Sequence, residues 1–371
     1  MSNAIRDQRL FGDAPKRILS LDGGGIRGIV TVGMLEEVER VLRARQPADK
    51  QAGFVLADHF DLVVGTSTGS IIATLLALGE SVESVRTLYL ALGPAVFSRP
   101  RFLGQFLWSK FDYQALGRLL EEELGAKTLE SQALRTGLLI TCKRVDTGSA
   151  WILGNNPQAK YWEKDRSRQL RELVRASTAA PSYFAPAQIH IGDGETGLFL
   201  DGAMGGLNNP SVAAFLYATA DEYGLRWKTG EDRLSMLSLG TGFLRPNYNA
   251  KAFDRSTAAG KALKTLKSLI YETQMSAIMT MEAFSNSVAP FKINGEVGGL
   301  EKTVVGGTAL LKFERFDPPL AREDLKKDLD LDFSPRDAKA FTEMDNGRPK
   351  NIERLLEIGR AAGRRIPDAA L

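Results

Sequence analysis

Histidine is nearly missing from this 371-residue chain, which has only His59 and His190. A Ser-His-Asp triad needs an imidazole as its base, and neither histidine suits that role. His59 enters a strand from the end opposite the turn where a nucleophile would sit. His190 falls on the polar side of the alternating run Gln188-Ile189-His190-Ile191. A hydrolase built on this chain is therefore expected to work without histidine. Cysteine is scarcer still. The single Cys142 excludes an intrachain disulfide and a cysteine metal site, and its place after the apolar run 137–141 reads as an inert core thiol. No calcium-loop pattern occurs, so neither a metal nor any other cofactor is expected. Charge of one sign is lacking too: 48 basic against 45 acidic residues leave a formal +3, too even a balance to argue for a nucleic acid polymer. The first 17 residues hold no apolar segment, so no secretory signal is expected. A soluble, cytoplasmic chain is the consistent reading. No internal repeat and no low-complexity linker divides the chain.

What is present begins with an alternation. Arg17 opens the short apolar run RILSL, and a helical pattern follows from about Ile29 to Arg45, with Met34, Leu35, Val38, Val41 and Leu42 on one face. Further strand patterns fall at 62–64, 136–145, 150–154, 198–200 and 234–239, separated by helical ones. Strands alternating with helices predict an α/β chain: a mainly parallel central sheet with helices on both faces, in three α/β/α layers. After residue 242 the character changes. A long helical stretch is expected over 251–285, with Lys261, Lys264 and Lys267 spaced by threes and Leu263, Leu266 and Ile270 forming an apolar face. The lysine row reads either as a solvated face or as a contact for anionic headgroups or a phosphorylated ligand. Residues 17–242 are expected to form the catalytic core, and 243–371 a mainly helical elaboration packed on the same domain. The stretch 95–110 carries Phe97, Phe102, Phe106 and Trp108 beside Arg99, Arg101 and Lys110 with no acid. It suits either a lipid–water interface or core packing.

Three motifs carry chemistry. Gly65-Thr66-Ser67-Thr68-Gly69 lies between a strand and an apolar helix. It is a nucleophile-elbow pattern, in which Gly65 and Gly69 leave room where a Cβ would strike the neighbouring strand or helix. No charge occurs between Asp61 and Glu80, but GTSTGS interrupts the apolar run and a membrane span needs about 20 predominantly apolar residues. Upstream, Asp22-Gly23-Gly24-Gly25-Ile26-Arg27-Gly28 also lies between a strand and a helix. Residues 23–28 match the dinucleotide fingerprint, yet the acid that fingerprint expects about 20 residues on, at the end of a second strand, is missing. The mechanical reading is an anion cradle: backbone N–H groups pointing into one cavity at a helix N-terminus, with Arg27 adding positive charge. Downstream, Asp201-Gly202-Ala203 follows a strand. A carboxylate at the C-terminal end of a sheet strand shares an edge with the elbow serine, within reach of its proton if the two strands are close.

In order and separation, DGGGIRG at 22–28, GTSTG at 65–69 and DGA at 201–203 resemble the patatin-like phospholipase family. ASTAAPSYFAP at 176–186 and LSLGTG at 237–242 resemble it too, so the likeness runs from about Arg17 to Gly242. Ser70 is a small departure, standing where a third glycine is common. The resemblance implies a Ser-Asp dyad hydrolase on an α/β/α fold related to cytosolic phospholipase A2. In that fold Ser67 is the nucleophile, Asp201 the base, and the amides of Gly23, Gly24 and Gly25 the oxyanion hole. The implied activity is a phospholipase A, cleaving ester bonds of membrane glycerophospholipids through an acyl-serine. Bacterial members of similar length include effectors switched on by cyclic nucleotides in anti-phage defence. A phospholipid substrate and a cyclic-nucleotide activator are thus the implied partners. The remaining alternatives are a non-enzymatic storage or binding protein and, further out, a nicotinamide-dependent oxidoreductase.

Overall fold

The computed structural model describes residues 3–97, 113–181, 183–192, 194–246 and 248–371. Nine strands form one sheet: β1 (Lys16–Leu21), β2 (Leu62–Thr66), β3 (Gly137–Arg144), β4 (Ala150–Gly154), β5 (Ala187–Gly192), β6 (Glu195–Asp201), β7 (Leu234–Leu239), β8 (Ser285–Asn286) and β9 (Leu311–Phe316). Their order is β5-β6-β3-β2-β1-β7-β9-β8, with β4 pairing β3 off this path. The run from β3 through β8 is parallel, while β4, β5 and β6 pair antiparallel.

Burial explains why the central strands read as unbroken apolar runs. Leu19, Leu21, Val63, Leu138, Ile140, Leu237 and Leu239 pack into one core. Ile18, Leu62, Val64, Leu139, Met236, Leu311 and Phe313 pack into a second on the other side. Successive side chains of a strand point to opposite faces, so a sheet covered on both sides needs apolar residues at every position. The first core is closed by helices Gly28–Ala44, Thr68–Ala77, Val82–Phe97, Leu170–Ser177 and Pro349–Gly363. The second is closed by Ala4–Phe11, Ser211–Thr219 and the C-terminal half of Ala258–Ala283. The result is the three-layer α/β/α arrangement with a mainly parallel sheet.

The chain beyond 242 is built into this sheet. It supplies β8 and β9, and helix Pro349–Gly363 lies against Gly28–Ala44. The two helix backbones meet at Gly33 and Gly359, where a Cβ on Gly359 would overlap the carbonyl oxygen of Val30. The expected helix over 251–285 is two helices, Ala250–Asp254 and Ala258–Ala283. The break falls at Ser256-Thr257 because Thr257 caps the second helix, its side chain accepting from the Gly260 amide. Most of the aromatic and basic stretch at 95–110 lies outside the described residues.

Gly359→Ala is expected to destabilise the fold by about 1–3 kcal/mol, because the overlapped atom is backbone that cannot move aside alone. Gly117→Ala is the control. Gly117 sits inside helix Tyr113–Leu124 with open space where its Cβ would be, so the change should stabilise by roughly 0.5–1 kcal/mol. Denaturant melts of the two variants check this; equal effects of one sign would contradict the packing account.

Candidate active site

Ser67 sits between β2 and helix Thr68–Ala77 at φ 54°, ψ −126°, a backbone region non-glycine residues rarely occupy. Such a residue costs on the order of 1–3 kcal/mol and persists only where its surroundings over-determine it. Here they do. A Cβ on Gly65 would overlap the Gly69 carbonyl, and one on Gly69 would overlap the Leu21 carbonyl. The Ser67 amide donates to Ser177 Oγ at 2.8 Å, and Ser177 Oγ in turn donates to the Thr141 carbonyl at 2.7 Å. The Ser67 carbonyl accepts from both the amide and the hydroxyl of Ser70, at 2.8 and 2.6 Å. Ser70 thus pins the turn from its far side.

Ser67 and Asp201 line one cavity, with the Ser67 hydroxyl near enough to the Asp201 carboxylate to favour its charged form. Asp201 is 3% exposed. Burial pushes its pKa up to about 6, against the opposing pull of the hydrogen bonds from Ser67 and the Ala203 amide. The route by which Asp201 reaches the serine differs from the one expected. β6 runs antiparallel to β3, so the rule that carboxylates at strand C-termini share an edge does not apply. Register does the work instead: Thr66 pairs with Thr141 across β2 and β3, and the next residue, Cys142, pairs with Asp201. Because β6 overlaps β3 by only three residues, its end stays at the serine's edge.

The glycine motif divides in two. Gly24 and Gly25 line the cavity, and their amides donate to no acceptor among the described residues. The Gly23 amide donates to the Asn208 carbonyl at 3.1 Å. It is therefore not offered to the cavity, and the expected three-amide cradle is reduced to two. Arg27 is buried and lies outside the cavity lining; burial lowers its pKa against the opposing pull of the Asp317 carboxylate. The histidines are elsewhere. His59 lines a separate cleft at the opposite sheet edge, its pKa lowered to about 3 by burial, and His190 is exposed on β5. Cys142 is buried, with its thiol pKa pushed far up by burial.

Several contributors are invisible as motifs. Asp22, the residue just past β1, receives both arms of the Arg315 guanidinium from β9, at 2.9 and 2.6 Å. Arg315 also donates to Asp317 at 2.8 Å, and Asp317 accepts from the Gly242 amide at 2.8 Å. Asn209 completes the set by donating to Asp22 at 3.0 Å. This buried cluster ties the stem of the glycine motif to the Gly240-Thr241-Gly242 turn. Met344 clamps the motif from the other side, its carbonyl accepting from the Ile26 amide at 2.8 Å. Ser177 lies in the ASTAAPSYFAP stretch, the one signal that marked that region.

The cavity measures about 320 Å³. Away from Ser67 and Asp201 its wall is mostly apolar: Ile71, Leu92, Val96, Leu116 and Phe184 from the core, Met204 beside them, and Leu263, Leu266 and Ile270 from the long helix. Among the described residues no cluster of His, Cys, Asp or Glu could hold a metal ion.

A serine on a strained strand-to-helix turn, facing a carboxylate beside free glycine amides on an α/β/α sheet, defines the nucleophile-elbow class of site. The chain belongs to the patatin-like phospholipase family, whose model matches residues 19–215. It is 32% identical over 204 residues to a cGAMP-activated phospholipase of Vibrio cholerae, covering 53% of this chain and 55% of that protein. Similarity to a cGAMP-activated phospholipase of Escherichia coli is 30% over 214 residues, covering 56% of this chain and 58% of that one. Against Patatin-17 of Solanum cardiophyllum, identity is 30% over 265 residues, or 66% of this chain and 64% of that one. The chain thus spans between about half and two thirds of the length of these relatives.

A buried acid with a raised pKa has a sign-definite effect on stability. The native state binds the Asp201 proton more tightly than the unfolded chain, so stability is lost as pH rises from about 3.8 to about 6. Asp201→Asn is therefore expected to raise the melting temperature at pH 8 and leave it little changed at pH 4. Thermal melts at the two pH values check this; a loss at pH 8 would contradict the burial of an ionisable carboxyl.

Proposed function

We propose that the chain is a lipid acyl hydrolase of the phospholipase A type, acting on ester bonds of membrane glycerophospholipids through a Ser67–Asp201 dyad. The placement of the strained Ser67 and the buried Asp201 carboxylate together at the polar end of an apolar cavity carries this reading. Ser67 Oγ attacks the ester carbonyl carbon as Asp201 takes its proton. The amides of Gly24 and Gly25 stabilise the oxyanion of the tetrahedral intermediate. Collapse expels the alcohol, which leaves with the proton from Asp201. Water then gives its proton to Asp201 and attacks the acyl-serine, and a second collapse frees the fatty acid and returns the proton to Ser67 Oγ. A carboxylate is a weaker base than imidazole. Raising its pKa to about 6 narrows that gap while leaving it ionised at neutral pH. The apolar wall suits an acyl chain, and a cavity of about 320 Å³ is the size of a small ligand site. A storage or binding role has no use for a strained serine facing a buried carboxylate. A nicotinamide site would need the ribose-binding acid that is missing after the glycine motif.

A second reading adds control: the same hydrolase kept inactive until a cyclic nucleotide binds, acting as a membrane-degrading anti-phage effector inside the cell. It is favoured by the two similar bacterial proteins described as cGAMP-activated phospholipases. Lipid hydrolysis measured with and without cGAMP separates the readings: activation by cGAMP supports gating, and full activity alone excludes it.

A fluorophosphonate probe is expected to label the wild type. Labelling should be abolished in Ser67→Ala and slowed about 100-fold or more in Asp201→Asn, within the range general-base catalysis supplies. Equal labelling of all three proteins would sink the assignment.

A further inference from the structure

The N-terminal half of helix Ala258–Ala283 behaves unlike any core element. Its first buried residue is Met275, although the helix begins at residue 258. Leu263, Leu266 and Leu269 are 48%, 37% and 56% exposed, and Tyr248, just before the helix, is 37% exposed. Leaving three leucines and a tyrosine half in water within 22 residues is unfavourable by about 25 cal/mol for each Å² of apolar surface that burial would remove. A monomeric protein that does so at one spot marks an interaction surface there.

The placement says what kind. At 3.6 residues per turn, Leu269, Leu266, Ile270 and Leu263 form one continuous stripe about 120° wide; Lys267 borders it, about 40° past Leu263, and Lys264 and Lys261 continue round the polar face. The inner edge of that stripe is the wall of the catalytic cavity: Leu263, Leu266, Lys267 and Ile270 all line it. Its outer edge, Leu269, faces water. The same surface that closes the cavity thus continues outward from its mouth. Residues 245–270 hold six basic residues, Arg245, Lys251, Arg255, Lys261, Lys264 and Lys267, against the single acid Asp254. Among the described residues only Lys261 is paired with that acid, at 3.6 Å. Lys264 reaches Ser256 Oγ and lies over the rings of Tyr248 and Phe253, so charge and aromatic surface are interleaved. The half-helix is anchored only farther along, where Gln274 accepts from Asn208 at 2.8 Å and Met275 and Ile278 enter the core.

We propose that residues 258–270 are an interfacial docking helix. Leu263, Leu266 and Leu269 enter the acyl region of a bilayer, while Lys261, Lys264 and Lys267 bind anionic headgroups. Docking in this pose presents the cavity mouth to the membrane and gives an acyl chain an unbroken apolar path from bilayer to Ser67. The proposal rests on the lipid-hydrolase reading for its purpose but not for its test. Charge complementarity selects an anionic lipid surface as the occupant: basic residues near such a surface attract it, while a second copy of this face would repel its like.

The test uses Ser67→Ala protein, so that binding is read without hydrolysis, and cosedimentation with vesicles of phosphatidylcholine alone or with 30% phosphatidylglycerol, roughly the anionic content at which surface potential matters. Binding to the anionic vesicles alone is expected, weakened about tenfold or more by Lys261→Glu/Lys264→Glu and by Leu269→Ser, all outside the cavity wall. In the Ser67-intact background, the same changes should leave hydrolysis of a soluble short-chain ester near wild type while lowering hydrolysis of vesicle lipid. Equal binding to both vesicle types, or anionic binding unaffected by these changes, overturns the proposal. So does a shift from dimer to monomer in Leu269→Ser with vesicle binding unchanged, which would make the face a self-association surface. Absence of any esterase activity with the vesicle pattern intact would instead count against the hydrolase reading alone.

Discussion

The catalytic edge depends on one ionic cluster set behind it. Arg315, fully buried, bridges Asp22 just past β1 and Asp317 just past β9. A buried arginine with a carboxylate on each side is tolerable only because nearly every polar arm is satisfied. Removing one member leaves an uncompensated charge in the core, typically a loss of 3–5 kcal/mol. The cluster also has a direction. Asp22 leads straight into the glycine motif, and Asp317 fixes the Gly240–Gly242 turn whose Thr241 packs against Gly23 and Gly24. The amides proposed to meet an oxyanion are therefore held by a strand contributed nearly 300 residues later in the chain.

That dependence gives the C-terminal third its meaning. β9 brings Arg315, the 342–348 loop brings the Met344 carbonyl to the Ile26 amide, and helix Pro349–Gly363 braces the helix that follows the motif. A strained serine needs such over-determination. The Ser67 conformation is enforced by Gly65, Gly69, Ser70 and Ser177, and the glycine amides opposite it are enforced by Arg315, Asn208 and Met344. Neither half is free to relax away from the arrangement that the proposed mechanism uses.

Much of the site was legible in the sequence because its parts are local. A glycine either side of Ser67, the run Gly23–Gly25 before a helix, and Asp201 after a strand each announce themselves within a few residues. The scarcity of histidine pointed to a carboxylate base. What stayed illegible was everything set by distant pairing. Nothing near Arg315 marks it as the partner of Asp22, and nothing near Gly23 shows that its amide is spent on Asn208. The antiparallel sense of β6 could not be read either, because its three-residue pairing with β3 has no pattern of its own. The long helix is the instructive case. Leu263, Leu266 and Ile270 have the spacing of a core face, and spacing alone cannot tell a face that meets the core from one that closes a cavity and then continues into water.

The central claim is that a buried carboxylate, and no imidazole, takes the proton of Ser67. Its most direct test is the pH dependence of kcat/KM on a soluble ester. The account predicts a single inflection near pH 6, with activity on its alkaline side and lost as Asp201 is protonated below it. The inflection should disappear, with most of the rate, in Asp201→Asn and survive unchanged in His59→Gln and His190→Gln. An inflection that persists without Asp201, or vanishes with either histidine, would contradict it.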